Sequence, residues 1–416
     1  MNRIILIGNG FDLAHKLKTS YAHFMNWYWY KWGEKLLSTY SKSIDDRLCS
    51  FELNDESDVL NIAYVWGQYY RRINPLEPWD LEEIASKAKQ DNKLFKFTYK
   101  DKFFQEICSE VETKGWVDIE TIFYDYLSHK SQYVVDTKTV NDDLDFLREN
   151  LIKYLAEIEK IITPEIINKK IQNYFLEPFK KEDVAVNAII KWNDIIRQRV
   201  DYDEEMWNDL ISSYFNTSDS IRYNYRSVMN YISNYKKNNG YDYPDEIPPA
   251  FLVPDRTMLL NFNYTKTADL YVSDRSGITV NHIHGEISNP DSVIFGYGDE
   301  LDEHFKSILN LNDNEYLRNI KSYKYLESSK YRDLLKFIES SPYQIFIMGH
   351  SCGNSDRTLL NTLFEHKNCV SIKPFYYKKE NGTDNYIELV QNISRNFTDM
   401  KLMRDRVVNK EYCTTL

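Results

Sequence analysis

Five short motifs, rich in glycine or in amide, imidazole and hydroxyl side chains, each follow an apolar run typical of a β-strand. Such groups can bind phosphate and sugar or transfer protons. The motifs are Gly-Asn-Gly-Phe-Asp at 8–12, Asn-Phe-Asn-Tyr-Thr at 261–265, Asn-His-Ile-His-Gly at 281–285, Phe-Gly-Tyr-Gly-Asp at 295–299 and Gly-His-Ser-Cys-Gly at 349–353. Their position at strand ends predicts one ligand site built from distant parts of the chain.

The first motif is a loop that consists of Gly8, Asn9, Gly10, Phe11 and Asp12. Glycine lets the backbone approach a ligand closely, and the amides that follow can face a phosphate. The dinucleotide-binding fingerprint requires a third glycine near position 13, where Leu13 stands. We interpret the loop as facing a nucleotide, with a sharp structural turn as the alternative.

Two motifs carry paired polar side chains with the strand period of two. Asn261 shares a face with Asn263, and His282 shares a face with His284. A histidine beside a glycine at a strand end suits general acid–base chemistry, because its ordinary pKa lies near neutrality. That role is assigned to His284, and a hydrogen-bonded structural role is the alternative for both histidines. They lack a third ligand at a readable spacing, so no metal is expected.

The motif at 349–353 matches the Gly-x-Ser-x-Gly nucleophile elbow of hydrolases. Such an enzyme needs an acid and then a histidine downstream of the serine. The only downstream histidine, His366, lies late in the helix predicted at 358–366, so it is expected to lie far from the serine. Asn-Ser-Asp at 354–356 is predicted to cap that helix.

Two glycine loops are further candidates for contact with a nucleotide. Gly349, His350 and Ser351 are interpreted as a helix-entry loop that holds a phosphate or a ribose. Gly296 and Tyr297 follow another predicted strand and are assigned to the same ligand, with an ordinary turn as the alternative.

An acidic marker, Trp-Val-Asp-Ile-Glu at 116–120, lies in an aromatic helical context. Its carboxylates, Asp118 and Glu120, are expected to be solvated or salt-bridged, with the mouth of the site as the alternative.

The predicted strands have to position these motifs, and they lie at 4–7, 257–262, 278–283, 292–295, 344–348 and 370–375. Helices alternate with some of them, which is typical of a mostly parallel α/β sheet. The first strand cannot form a sheet alone, so it is expected to join the later ones. Helical patterns lie between them at 59–73, 143–162, 184–196 and 206–214. The prediction is one α/β domain of residues 1–24 and 250–416, split by an all-helical insertion of residues 25–249.

Composition excludes several classes of protein. Only 13 of 416 residues are glycine. The formal net charge is -11, so there is no direct signal of nucleic-acid binding. The five cysteines are odd in number and form no Cys-x-x-Cys pair, which argues against a secreted disulfide framework. No apolar run approaches 18 residues, so no membrane segment is expected. The chain is predicted to be soluble and cytoplasmic.

The chain resembles the AbiH family of bacterial proteins associated with abortive infection by bacteriophage. The motifs that carry the resemblance are Ile-Gly-Asn-Gly-Phe-Asp-Leu at 7–13, Leu-Lys-Thr-Ser-Tyr at 17–21, the acidic marker at 116–120, Asn261 to Thr265, His282 to Gly285 and Gly349 to Asp356.

The order of these motifs is also similar to the sirtuin-like NAD-consuming domains of phage-defence proteins, which implies a Rossmann-like parallel sheet. The resemblance implies that Asn263 and His284 are catalytic. It places Gly8 and Gly10 at the phosphate loop and the motif at 349–353 at a second dinucleotide-binding loop. No paired-cysteine zinc module is present, which argues against a protein deacylase.

The resemblance implies an anti-phage effector that binds NAD as its substrate and hydrolyses the nicotinamide–ribose bond. The family element departs here at two positions, where Asn261 replaces a threonine and Thr265 replaces an aspartate. The alternative is therefore a module that senses NAD or ADP-ribose, or binds a partner, without catalysis. An unknown phage trigger and a homo-oligomer are further implications.

Overall fold

The computed structural model describes residues 1–39, 43–53, 95–115, 117–128, 136–215, 218–238, 247–272, 277–379 and 381–416. The structure is mixed α/β and contains a five-stranded parallel sheet. The chain divides into two compact units. The parallel-sheet unit comprises Met1–His15, Ile162–Ser292 and Tyr325–Leu416, and the second unit comprises Lys16–Ile161 and Val293–Lys324. The domain boundaries expected from the sequence stay a prediction.

The strands, in chain order, are β1 (Asn2–Ile7), β2 (Ser43–Asp45), β3 (Cys49–Leu53), β4 (Phe95–Tyr99), β5 (Thr257–Asn261), β6 (Ile278–His282), β7 (Tyr343–Met348) and β8 (Cys369–Phe375). The parallel sheet has the order β6-β5-β1-β7-β8. Every residue of β1, β5, β7 and β8 is buried. Burial on both faces explains why these strands are mostly apolar in the sequence, with Gln344 in β7 and Ser371 and Lys373 in β8 as interruptions. The predicted parallel sheet, with the first strand joined to the later ones, is confirmed.

The helices, in chain order, are α1 (Asn9–Ala14), α2 (Tyr21–Thr39), α3 (Lys102–Lys114), α4 (Ile119–Leu127), α5 (Thr137–Glu159), α6 (Lys169–Phe175), α7 (Ile189–Val200), α8 (Glu204–Tyr214), α9 (Ser218–Lys237), α10 (Glu303–Asn310), α11 (Lys321–Lys324), α12 (Lys330–Ser340), α13 (Arg357–Phe364), α14 (Tyr386–Arg395) and α15 (Met400–Arg406). The helices predicted near 143–162, 206–214 and 358–366 are α5, α8 and α13. The one predicted at 184–196 begins with a short 3₁₀ turn and continues as α7. The helix predicted at 59–73 lies outside the described residues.

The predicted insertion, residues 25–249, is not all-helical, and that part of the prediction was wrong. Strands β2, β3 and β4 form an antiparallel sheet in it. In β4, Lys96 and Thr98 are exposed while Phe97 and Tyr99 are half-buried, which is the strand period of two. The local pattern is short and its pairing partner β3 is about 40 residues away, so helix periodicity elsewhere dominated the sequence signal.

The strand predicted at 292–295 is also absent from the structure. Pro290–Ser292 forms a 3₁₀ turn, and the buried residues Val293, Ile294 and Phe295 form no strand. Three consecutive apolar residues can be buried in any extended backbone, so this pattern did not distinguish a strand from a buried loop.

Aromatic side chains form the contact between α2 and α5 in the second unit. The ring of Tyr154 lies 5.7 Å from that of Trp27 and 6.1 Å from that of Phe24. In the parallel-sheet unit, a cluster from α7, α8 and α9 surrounds the fully buried Trp207. No described helix has both the length and the apolar character that crossing a membrane requires.

A buried histidine ties α1 to the rest of the parallel-sheet unit. The His15 Nδ1–H group donates to the Phe11 carbonyl oxygen at 2.7 Å, and the Tyr271 hydroxyl donates to His15 Nε2 at 2.5 Å. The Asn168 amide N–H donates to the same hydroxyl at 2.8 Å. These donor assignments are those of a neutral imidazole, which burial favours by lowering the pKa of His15 from its ordinary value of 6.5.

We expect this histidine to destabilise the protein in acid. Because the pKa of His15 is lower in the folded than in the unfolded chain, the unfolded chain binds more protons below about pH 6.5, and the free energy of unfolding falls there. In His15→Phe this component disappears, so the free energy of unfolding changes less between pH 7 and pH 5. Urea denaturation at each pH measures both slopes. The exposed His304, changed to Gln, is the control, and equal slopes in wild type and His15→Phe would contradict the prediction.

Candidate functional site

The loops after four neighbouring strands of the parallel sheet carry most of the predicted site residues. Gly8 follows β1, Asn263 follows β5, His284 follows β6 and Gly349 follows β7. Parallel neighbours end at the same edge of a sheet, so the structure brings these loops to the carboxyl edge. Open α/β sheets bind their ligands at that edge.

The loops after β1 and β7 pack against each other through their backbones. Gly349 has φ +79°, and a Cβ atom there would lie 2.0 Å from the Phe11 nitrogen. A Cβ atom on Gly10 would lie 2.8 Å from the Gly349 Cα. The two loops predicted to share a ligand are therefore in direct contact, and their glycines are required by that contact.

Two amides of the first loop bind protein carbonyls. The Gly10 N–H donates to the Gly349 oxygen at 2.9 Å, and the Phe11 N–H donates to the Gly8 oxygen at 2.9 Å. A phosphate at this loop would have to use groups other than these two.

The carboxylate of Asp356 lies between two imidazoles, in an arrangement that we call the bridging triad (His284, Asp356 and His350). His284 Nε2 lies 3.2 Å from Asp356 Oδ1, and His350 Nε2 lies 3.5 Å from Asp356 Oδ2. The three residues are 4%, 7% and 6% exposed. Because a carboxylate only accepts hydrogen bonds, a bond from either imidazole to Asp356 requires a proton on that Nε2 atom.

Aromatic rings enclose the bridging triad. The Phe262 ring centroid lies 5.0 Å from that of His284 and 4.1 Å from that of His350. The Tyr325 hydroxyl lies 3.1 Å from His284 Nε2. A low-dielectric surrounding strengthens the attraction between a carboxylate and an imidazole. The arrangement can accept a proton at His284 and stabilise the resulting positive charge.

Asp356 is the functional candidate that sequence reasoning missed. The sequence predicted that it caps the following helix, but its side chain forms no capping hydrogen bond at α13. Its carboxylate contacts two histidines instead. The signals available were its place at the start of the helix after β7 and its position at the end of the motif Gly349 to Asp356, which carries the family resemblance.

The two asparagines after β5 hold the loops together. Asn263 Nδ2 donates to the Gly8 oxygen at 3.0 Å, which links the loops after β5 and β1. Asn261 Oδ1 accepts from the Asn263 N–H at 3.0 Å, and its Nδ2 donates to the Thr265 oxygen at 3.1 Å. Asn261 therefore shapes the loop, and Asn263, which is half-buried, lies at its junction with the first loop.

His282 has a structural set of partners, separate from those of His284. Asn261 Nδ2 donates to its Nδ1 at 3.2 Å, so its Nε2–H donates to Asp269 Oδ2 at 3.1 Å. The two histidines thus contact different carboxylates. Among the residues that the structure describes, no group of three or more His, Cys, Asp or Glu side chains is placed to hold a metal ion.

Thr265, which stands where the sirtuin-like pattern has an aspartate, contacts a carboxylate of the first loop. Its hydroxyl donates to Asp12 Oδ2 at 2.7 Å, and both residues are 1% exposed. The bond fixes the loop after β5 to α1.

We expect Thr265→Val to lower the free energy of unfolding by about 1–3 kcal/mol, because a buried carboxylate oxygen loses its donor. Thr265→Ser keeps the hydroxyl and is the matched control, with an expected loss of about 1 kcal/mol or less. Denaturant unfolding of the three proteins measures the difference. Equal losses in the two variants would show that the hydrogen bond is unimportant.

Within the part of the chain that the structure describes, Ser351 has no histidine partner of the hydrolase kind. The serine is exposed, and its backbone oxygen accepts from Asn392 Nδ2 at 2.9 Å. His366 lies before β8 at the amino edge of the sheet, where its Nε2 contacts Glu339 Oε1 at 3.1 Å. A six-residue strand separates the two edges by about 20 Å.

Gly296, Tyr297 and Glu120 lie in the second unit, where they form a structural cluster. The Gly296 N–H donates to Glu120 Oε1 at 3.2 Å, and Lys321 Nζ donates to Glu120 Oε2 at 2.8 Å. The Tyr297 ring stacks on that of Tyr124 at 3.9 Å. Glu120 is therefore salt-bridged, in agreement with the expectation that the carboxylates of the acidic marker are solvated or salt-bridged. Residue 116 of the acidic marker lies outside the described residues.

The family model described as bacteriophage abortive infection AbiH matches residues 4–377 of the chain. No curated protein and no solved structure shows significant similarity to this chain.

Proposed function

Because this chain belongs to the AbiH family of bacteriophage abortive infection proteins, we propose that it defends the cell by hydrolysing the nicotinamide–ribose bond of NAD or a related dinucleotide. The observation that carries the proposal is the buried contact of His284 with Asp356 at the carboxyl edge of a parallel sheet. An imidazole held by a carboxylate is suited to accept a proton from water.

The proposed reaction requires one water molecule. The C1′–N bond of the nicotinamide ribose breaks with its electron pair leaving on nicotinamide, and the ribose passes through a cation-like transition state. The oxygen of water bonds to C1′ while His284 takes its proton. The products are nicotinamide, ADP-ribose and a proton, which His284 returns to solvent.

The strand order β6-β5-β1-β7-β8 supports a Rossmann-like interpretation of the sheet. In this order the chain reverses its direction of growth across the sheet between β1 and β7, and nucleotides bind at such a switch point. In the proposal, the loops with Gly8 to Asp12 and Gly349 to Ser351 hold the pyrophosphate and a ribose. Asn263, at the junction with Gly8, orients the ribose hydroxyls or the attacking water.

One observation favours the second candidate, a module that binds NAD or ADP-ribose without cleaving it. His284 is only 4% exposed, and its Nε2 contacts both Asp356 and Tyr325. In that form of the proposal, the ligand or a phage component changes the partners of the protein rather than being consumed.

The two candidates are distinguished by one paired experiment. The purified protein is mixed with NAD, released nicotinamide is measured by chromatography, and binding of NAD and ADP-ribose is measured by calorimetry. Nicotinamide release supports the hydrolase, and binding without release supports the sensor. The proposal includes a homo-oligomer and a phage trigger, so the assay is repeated with lysate of phage-infected cells. If neither nicotinamide release nor ligand binding occurs in either condition, both candidates are contradicted.

A further inference from the structure

We infer that Asp356 is a positioning residue, which holds His284 with its proton on Nε2, and that His350 anchors Asp356 in the orientation needed to do so. The inference deepens the proposed function and rests on it only where it assigns His284 the role of base. The geometry of the bridging triad stands independently of the substrate.

The tautomer of His350 is fixed by a second contact. The Cys352 backbone N–H donates to His350 Nδ1 at 3.0 Å, so Nδ1 carries the lone pair and Nε2 carries the proton. His350 can therefore donate from Nε2 to Asp356 Oδ2 while keeping its neutral form. With Oδ2 in this contact, the other oxygen, Oδ1, faces His284.

The backbone conformation of Cys352 supports this contact. Cys352 has φ +56°, in the left-handed region that non-glycine residues rarely adopt, and it is fully buried. Its carbonyl oxygen accepts from Asn396 Nδ2 at 2.9 Å. Strained backbone of this kind persists where surrounding contacts hold it, and it is enriched at functional sites. A continuous set of polar contacts thus runs from Asn396 through Cys352 and His350 to Asp356.

Replacement of the Asp356 carboxylate by an amide would replace one acceptor oxygen by an N–H₂ donor group. In Asp356→Asn, the side-chain carbonyl can accept from only one of the two Nε2–H groups, and the amide N–H₂ faces the other. One imidazole must then reverse its tautomer or lose its partner. Tyr325 also faces His284 Nε2, and its hydroxyl can donate to an unprotonated nitrogen, which would favour reversal at His284.

The test is nitrogen NMR of protein labelled with ¹⁵N in its eight histidines, which reports the protonated ring nitrogen without any substrate. Wild-type His284 and His350 are expected in the Nε2–H form. In Asp356→Asn, His284 or His350 should shift toward the Nδ1–H form. Asp269→Asn is the matched control, because that carboxylate faces His282 at the same edge and should leave His284 unchanged.

Kinetics supply the second readout. If nicotinamide release occurs, Asp356→Asn should lower kcat by about 10²–10⁴-fold with KM changed less than about threefold, since a base with the wrong tautomer binds substrate normally. A wild-type spectrum with His284 in the Nδ1–H form, or an Asp356→Asn spectrum unchanged at both histidines, would overturn the inference. If the variant does not fold, the wild-type spectrum still tests the Nε2–H form of both histidines, and it does so even if NAD is not the substrate.

Discussion

His284→Ala should lower the rate of nicotinamide release by about 10²–10⁴-fold, because a positioned general base contributes an acceleration of that order. The fall should appear in kcat, while the dissociation constant for ADP-ribose stays within about threefold, since the substitution removes a proton acceptor rather than a phosphate contact. Stopped assays of nicotinamide, with calorimetry on the same preparations, measure both quantities.

His366→Ala is the matched control for this prediction. It removes a histidine of the same unit that also contacts a carboxylate, Glu339, but at the amino edge of the sheet. Its rate should equal that of wild type within about twofold. If His284→Ala retained full release, the assignment of the base would be wrong even though the hydrolase activity stood.

Gly349→Ala should destabilise the protein by more than about 4 kcal/mol, which is exceptional for one methyl group. Two causes add. Alanine at φ +79° costs about 1–2 kcal/mol on its own. In addition, the new Cβ would lie 2.0 Å from the Phe11 nitrogen and 2.5 Å from the Gly10 carbonyl carbon, so the backbones of the two loops would have to separate.

Gly382→Ala isolates the first cause from the second. Gly382 has a similar φ of +84°, but no atom of the described residues lies within 4 Å of the place that its Cβ would take. We expect a loss of only about 1–2 kcal/mol there. Denaturant unfolding of the two variants measures the contrast. A Gly349→Ala protein no less stable than Gly382→Ala would mean that the two loops are not closely packed.

The parallel sheet could be predicted from the sequence because burial on both faces leaves a local mark. The runs Ile4 to Ile7 and Ile345 to Met348 are apolar without interruption, which is typical of strands in a sheet covered on both faces. The small antiparallel sheet left a weaker mark. Its strands are half-exposed, and the pairing of Phe51 with Phe97 joins residues far apart in the chain.

The candidate site could be predicted only as far as strand ends determine it. Gly8, Asn263, His284 and Gly349 each follow a predicted strand, and a parallel sheet brings such positions to one edge. Contacts between side chains that follow non-neighbouring strands could not be predicted in this way. β6 and β7 are three strand spacings apart, about 14 Å, yet His284 contacts Asp356. Nothing in local spacing encodes that contact.

The same strand order has a consequence during protein synthesis. β1 leaves the ribosome before its partners in the sheet, β5 and β7, in which Met258 and Ile345 lie opposite Ile4. At about 5–20 residues per second, β1 waits about 13–50 s for β5 alone. The nascent chain therefore carries β1 without its sheet partners during this interval. Since Asp356 follows β7, which comes after β5 in the chain, the proposed bridging triad stays incomplete until the start of α13 has also been translated.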